Sequence, residues 1–263
     1  MLRLATVIAL ALALQAPVQA DTPIAPIGPK GQKLAIALTY DDALPSQLDV
    51  AIPQLDALGM KGTFFLIGRE IKGNLKRWQA AVAEGHEIGN HTVLHACPRA
   101  MFEMPPQYMS ENSSVAVTLT EIQTMNNMLQ AIDGRTDHAY ATPCGQTLAG
   151  GQDYLPALRT AGLTRYVRAA ADTGDARPPA DPFAVPSHFF GVGDTGAKMI
   201  AYVEQLRQHG GGVAVIGFHG VGGDYLEVTA EAHKQLLVYL KAHESEIWVG
   251  RFTEVLDRAA RKP

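Results

Sequence analysis

The chain has 263 residues, almost half of them apolar, with 22 Lys and Arg set against 26 Asp and Glu for a net charge of −4. A weakly acidic chain without a basic cluster is a poor ligand for nucleic acid or an anionic membrane surface, and neither is expected as a partner. One domain built on one large core is the default for this length, which suits a single α/β barrel of roughly 200 to 250 residues.

The first residues predict an export signal. Arg3 supplies the positive start, Val7 to Leu14 the apolar stretch, and Val18-Gln19-Ala20 a small-residue cleavage site, with the mature chain beginning near Asp21 in the periplasm or outside the cell. An uncleaved N-terminal anchor is the alternative. The stretch falls short of the roughly 20 apolar residues that span a bilayer, and no later segment is longer, so stable membrane insertion is not expected. Residues 21–32 carry Pro23, Pro26 and Pro29 and read as an irregular arm, leaving 33–263 as the folded domain.

Strands and helices then alternate. Lys33 to Thr39 predicts a strand, Ser46 to Leu58 a helix, Lys61 to Ile67 a strand, Leu75 to Ala83 a helix and His86 to Asn90 a short strand. A longer helix runs from Ser113 or Ser114 to Ile132, followed by a strand over His138 to Thr142, a helix over Tyr154 to Thr160 and a strand over Arg165 to Ala170. Ala197 to His209 is helical, Val213 to Phe218 a strand, Ala230 to Ala242 a helix and Ile247 to Val249 the last strand. Continuous apolar strands separated by amphipathic helices predict an α/β fold, a distorted (β/α) barrel of about seven parallel strands. Its chemistry belongs at the carboxyl ends of the strands.

Four motifs fall just there. The apolar run from Leu34 ends in Asp41-Asp42. One aspartate suffices to cap a helix; two at the end of a buried strand are costly unless each faces a cation or a donor. His91 and His95 are four apart, a spacing that on a helical turn points both imidazoles at one ion. A carboxylate and two imidazoles suit a zinc-like ion with a position left open. The run from Val213 delivers His219 into a glycine-rich turn, where a histidine can donate a proton. Pro143-Cys144-Gly145 closes the fourth strand end. His86-Glu87 is no metalloprotease helix, because Gly89 makes Ile88 to Asn90 a poor helix interior, and Glu87 is expected to be solvated. His209, His233 and His243 are expected on helix surfaces or ends, and His138 and His188 are expected to precede or enter strands and carry no functional assignment. Cys97 and Cys144 are expected to pair in an oxidising compartment, with two separate buried thiols as the alternative.

Thr39-Tyr40-Asp41-Asp42, His91-x-x-x-His95, the Pro143 to Gly145 loop and Ile216-Gly-Phe218-His219 together resemble the polysaccharide deacetylase family, also called the NodB homology or carbohydrate esterase family 4 fold. The resemblance runs from about Lys33 to Val255. It implies one divalent metal, usually zinc and sometimes cobalt or nickel, held by Asp42, His91 and His95. Asp41 would be the base toward the attacking water and His219 the acid toward the leaving group. The acetylated carbohydrate would lie against Tyr40, whose neighbouring backbone N–H groups face the oxyanion, and against Pro143, Cys144, Gly145 and Phe218. Amide hydrolysis on N-acetylglucosamine-type sugars is favoured; an O-acetyl esterase and a catalytically impaired sugar-binding protein are the rivals. Two departures stand out. Where family members usually carry an arginine that pairs with the base, this chain has Ala141, and Arg168 is the candidate replacement, with a structural salt bridge as the other role open to it. The family's later aspartate and tryptophan are missing in recognisable form, with Asp172 or Asp175 as stand-ins for the aspartate.

Overall fold

The computed structural model describes residues 25–169, 176 and 178–261; the expected export signal, Asp172 and Asp175 lie outside these residues. The elements are β1 (Leu34–Asp41), α1 (Ile52–Ala57), β2 (Thr63–Leu66), α2 (Leu75–Ala83), β3 (Glu87–Asn90), α3 (Val115–Asp133), β4 (Tyr140–Ala141), β5 (Leu148–Ala149) and β6 (Gln152–Asp153). They continue with α4 (Leu155–Ala161), β7 (Val167–Arg168), β8 (His188–Phe189), α5 (Gly196–Gln208), β9 (Gly212–Phe218), α6 (Ala230–Ala242), β10 (Ile247–Gly250) and α7 (Phe252–Ala259).

Eight strands form one parallel sheet in the order β7-β4-β3-β2-β1-β9-β8, with β10 paired to β1. One edge of β1 meets β9 along its length, while the other is shared, β10 pairing with Leu34 to Ala37 and β2 with Thr39 to Asp41. The chain at Pro182 to Val185 hydrogen-bonds to β7 before reaching β8, so the two ends of the sheet curl toward one another. The result is a distorted, incompletely closed (β/α) barrel in a single domain. β5 and β6 form a separate antiparallel hairpin.

The period-2 alternation of β1 decides what sits where. Leu34, Ile36, Leu38 and Tyr40 face outward into the helix-covered core, whereas Ala35 and Ala37 face the barrel interior, which α7 fills with Phe252, Val255 and Leu256. The small alanines leave room for that helix, and the next inward positions up the strand are Thr39 and Asp41. In β9, Ala214, Ile216 and Phe218 are likewise outward, placing Gly217 and His219 inward. Two strand glycines serve close approach: a Cβ on Gly89 would lie 2.5 Å from the Phe65 ring, and one on Gly217 2.6 Å from the Phe189 ring.

Several expectations need correction. The predicted helix from Ser46 divides into a wide π-type turn at Gln47–Ala51 and then α1, whose first turn holds Pro53, a residue with no N–H to give the preceding turn. α7 has no counterpart in the sequence expectations, and β8 begins at His188, a residue expected to precede or enter a strand. His233 is not on a helix surface but fully buried on the inner face of α6, where its Nε2 meets the Tyr40 hydroxyl at 2.7 Å and its Nδ1 meets Gln54 Oε1 at 2.7 Å. Burial holds His233 neutral and lowers its pKa to about 3. Glu87 is buried rather than solvated, accepting from the Thr63 hydroxyl at 2.8 Å and from the Thr253 main chain at 3.2 Å, at the start of α7.

Candidate metal centre and catalytic cleft

β1 ends where Asp42 (φ 80°) and Ala43 (φ 59°) enter the left-handed region. Strand geometry alone would send neighbouring side chains to opposite faces; this turn swings the Asp42 carboxylate back beside that of Asp41. The Gln47 side chain holds the strand ends together, its Nε2 donating to the main-chain carbonyls of Asp41 and His219.

The histidine pair arrives differently from the expectation. Residues 91–96 are not helical, and Thr92 (φ 62°) and His95 (φ 55°) are left-handed. Polar side chains stabilise this loop internally: the Thr92 N–H donates to Asn90 Oδ1 at 2.8 Å, and the His95 N–H donates to Thr92 Oγ1 at 2.9 Å. The imidazoles still converge, with the two Nε2 atoms 3.1 Å apart and 3.4 Å (His91) and 3.6 Å (His95) from Asp42 Oδ1. The ligating atoms of the three residues all lie within 4.8 Å of one another.

This donor set fits a divalent ion. Asp42 Oδ1 is buried without a hydrogen-bond partner among the described residues, while the other oxygen, Oδ2, accepts from the Tyr225 hydroxyl at 2.7 Å. His91 Nδ1–H donates to the Ala141 carbonyl at 2.9 Å, which leaves the Nε2 lone pair facing inward, the usual arrangement behind a ligating histidine. Burial, with His91 beside it, lowers the His95 pKa to about 3, so its imidazole is neutral and ready to coordinate. At Asp42 burial opposes charge, yet the imidazoles, His91 foremost, hold the carboxyl well below its usual range. At His91 the same balance runs upward, since the carboxylates of Asp41 and Asp42 outweigh burial.

Asp41 is set apart from that trio by Arg168. The guanidinium grips both carboxylate oxygens, Nη1 to Oδ1 at 2.8 Å and Nη2 to Oδ2 at 2.5 Å, and Nη1 also donates to Thr39 Oγ1 at 3.0 Å. It lies between two rings, 4.7 Å from the Phe65 centroid and 4.9 Å from that of Phe189. These are the rings for which Gly89 and Gly217 leave room. Burial would raise the Asp41 pKa, but Arg168, helped by His91 and His219, holds it below the ordinary carboxylate value. Arg168 pairs in register with Ala141 across β4 and β7. The guanidinium thus enters from one strand over, beside the position where the arginine was missed.

His219 follows β9 on the other side of β1 from His91, with its Nε2 3.8 Å from Asp42 Oδ2. Cys97 and Cys144 meet at bonding distance, their Cα atoms 5.7 Å apart, and the left-handed Cys144 (φ 53°) turns its sulfur toward the histidine loop. Cys97 Sγ also lies 3.5 Å from His95 Nδ1. All these residues border a cleft of about 490 Å³, whose wall includes Cys144 and Gly145. Tyr40, Phe218 and Pro143 do not line it. Tyr40 and Phe218 occupy outward positions of their strands and stack on each other in the core, ring centroids 5.4 Å apart, and Pro143 is buried at the start of its turn. Main-chain groups at Tyr40 sit between two ladder partners, Phe64 and Phe218. Sequence reasoning missed Tyr225, Phe189 and Gln47; Tyr225 sits in the loop after His219, where no spacing rule reaches.

The polysaccharide deacetylase family model matches residues 28–166, and the chain belongs to that family. A gellan lyase from Bacillus sp. is 30% identical over 129 residues, 49% of this chain and 5% of that protein. A peptidoglycan-N-acetylglucosamine deacetylase from Bacillus cereus is 37% identical over 68 residues, 26% of this chain and 32% of that protein. The chain thus spans a third or less of the length of either relative. The solved structure of a family 4 acetyl xylan esterase from Clostridium thermocellum, in complex with a cobalt ion, shares the fold with a TM-score of 0.53 at 19% identity, over 85% of this chain and 90% of that one.

Proposed function

We propose that this protein is a metal-dependent hydrolase that removes acetyl groups from an acetylated carbohydrate, with N-acetylated glucosamine-type sugars favoured over O-acetyl esters. One observation carries the reading: a buried carboxylate oxygen without a hydrogen-bond partner among the described residues faces two imidazole nitrogens, and a second carboxylate, gripped by Arg168, stands beside them. Family membership and the cobalt-bound esterase support the same chemistry.

Asp42 Oδ1, His91 Nε2 and His95 Nε2 would hold the ion, zinc by donor type or cobalt or nickel in its place, with a position left open. When bound, the ion supplies a Lewis acid that polarises the acyl oxygen and acidifies water in the cleft. Asp41, kept ionised by Arg168, takes the proton of the attacking water as its oxygen adds to the acyl carbon. His219 gives a proton to the leaving nitrogen as the C–N bond breaks, releasing acetate and the free amine. Tyr225 fixes the Asp42 carboxylate so that Oδ1 remains turned to the imidazoles. Ala141 favours the impaired-protein rival only if nothing replaces the arginine, and Arg168 occupies that role.

Export to the periplasm or exterior is part of this proposal, and there Cys97 and Cys144 would form a stable disulfide. The test is acetate release from a panel of N-acetyl oligosaccharides and O-acetyl xylan by zinc- or cobalt-loaded protein. Release from the N-acetyl substrates, abolished by Asp41→Asn, is expected; no release from any acetylated glycan would overturn the reading.

A further inference from the structure

The cleft wall beside the catalytic residues is largely apolar. Met101 and Phe102 are exposed by 52% and 49%, and they line the cleft with Met104, Ile67, Phe189 and Leu226. Leu226 faces them from the loop after His219 and is itself 48% exposed. Large apolar side chains clustered in water at the mouth of a functional cleft mark a surface that a ligand covers.

The polar side of the lining is small and partly engaged. Apart from the groups placed in catalysis, the described residues lining the cleft offer three hydrogen-bonding side chains, Arg69, Thr142 and Tyr225. Arg69 donates to Glu70 Oε1 at 2.9 Å and to the Leu94 carbonyl at 2.6 Å, and it lies over the Tyr108 ring. Thr142 Oγ1 faces the Arg168 carbonyl at 3.4 Å, and the Tyr225 hydroxyl is given to Asp42. A chain of sugar rings brings several hydroxyls per ring, and each one desolvated without a partner weakens binding. Here the side chains that would satisfy them are scarce, whereas thioether and aromatic surface is plentiful. Methionines adapt to varied apolar shapes, which suits a flexible chain.

The apolar loop is also anchored at its base. The Cys97 N–H donates to the Tyr108 carbonyl at 3.0 Å, the Ser110 N–H donates to the Cys97 carbonyl at 2.9 Å, and the Arg99 N–H donates to Glu111 Oε1 at 2.9 Å. With Cys97 meeting Cys144 on the opposite wall, Met101 and Phe102 are held over the cleft.

We infer that this wall binds an apolar arm of the substrate, so that the preferred substrate is an amphiphile, an acetylated sugar bearing an alkyl or aryl group, rather than a long unsubstituted glycan. The inference rests on the deacetylase reading and narrows its substrate class. Each fully buried methylene contributes roughly a fourfold gain in affinity, so even partial shielding of an alkyl chain gives a large effect.

The test compares the methyl and octyl β-glycosides of N-acetylglucosamine, below micellar concentration, with an N-acetylglucosamine tetramer. KM for acetate release should be at least about tenfold lower for octyl than for methyl. The Met101→Ser/Phe102→Ser double variant, altered at two exposed positions, should bring the gap to within about twofold while leaving the methyl glycoside unchanged. Equal KM values, or a tetramer preferred to the octyl glycoside, would overturn the inference while leaving the deacetylase reading intact. Calorimetric binding of the octyl glycoside separates the two failures. If no substrate releases acetate but octyl binding persists and is lost in the double variant, the hydrolase reading fails and the apolar site stands. If acetate is released but the double variant changes neither binding nor KM, the wall serves another partner and the inference falls.

Discussion

Replacing Arg168 by Met keeps an apolar stem between Phe65 and Phe189 but removes the charge that faces Asp41. Both partners are almost fully buried, with 3% and 4% of their side chains exposed, so the carboxylate would be left without its cation in a poorly solvated place. Breaking a buried pair by removing one member costs roughly 3 to 5 kcal/mol, which for a chain of this size lowers Tm by about 6 to 20 °C. The pH dependence has a definite sign. The Asp41 pKa is lowered in the folded protein, so the pair's stabilisation is fully present above the unfolded carboxyl value near ~3.9 and is lost as pH falls through the lower folded value. Without Arg168, burial pushes the carboxyl above its unfolded value, so the variant's deficit should be largest near neutral pH and should shrink as acidification protonates Asp41. The acid limb of kcat/KM should move upward, because the base is protonated at higher pH. Thermal unfolding of metal-free protein from pH 3 to 8 measures the first effect, and a pH–rate profile the second. Adding Ala141→Arg to Arg168→Ala should recover part of both, because the two positions are register neighbours. A Met variant with wild-type Tm and an unmoved acid limb would refute the reasoning.

Further outcomes are expected elsewhere. Asp41→Asn should abolish turnover with zinc still bound, whereas His91→Ala should lose zinc, as equilibrium dialysis with elemental analysis would show. Reducing the Cys97–Cys144 pair with a dithiol, or replacing both by Ser, should cost roughly 4 kcal/mol on the chain-entropy account of a loop of 47 residues, read as a lower midpoint in urea. His233 is held neutral with a pKa of about 3, so the unfolded chain takes up a proton near pH ~6.5 that the folded chain refuses until pH is far lower. The stability it confers is present above that range and declines on acidification, and His233→Phe should flatten the pH dependence of Tm between these limits.

The barrel was legible because its strands are continuous apolar runs and its helices keep their spacing, and those patterns place Asp41, His91 and His219 at strand ends on one rim. What the sequence hid was direction. Tyr40 and Phe218 adjoin Asp41 and His219 in sequence yet point outward, a consequence of the two-residue period of a strand. The helical turn expected for His91 and His95 gives way to a loop stabilised by Asn90 and Thr92, a local hydrogen-bond choice that competes with helix formation. His233 falls on the same face of α6 as Leu236, Leu237 and Leu240, so its burial was readable from spacing. The pattern of Phe252, Val255, Leu256 and Ala259 for α7 was equally readable. β8 spans only two residues, too few for any period to appear. Arg168 was reachable by noting a cation at a strand end beside Ala141, although its aromatic bracket depends on Gly89 and Gly217, whose role emerges only once strands are paired.

The proposed chemistry requires Asp42, His91 and His95 to share one cation beside Asp41. Anomalous diffraction at the zinc edge from zinc-loaded crystals tests this most directly. A single peak in bonding contact with Asp42 Oδ1 and both Nε2 atoms, with Asp41 still paired to Arg168, is the predicted result; a peak on other residues, or none at saturating zinc, would contradict it.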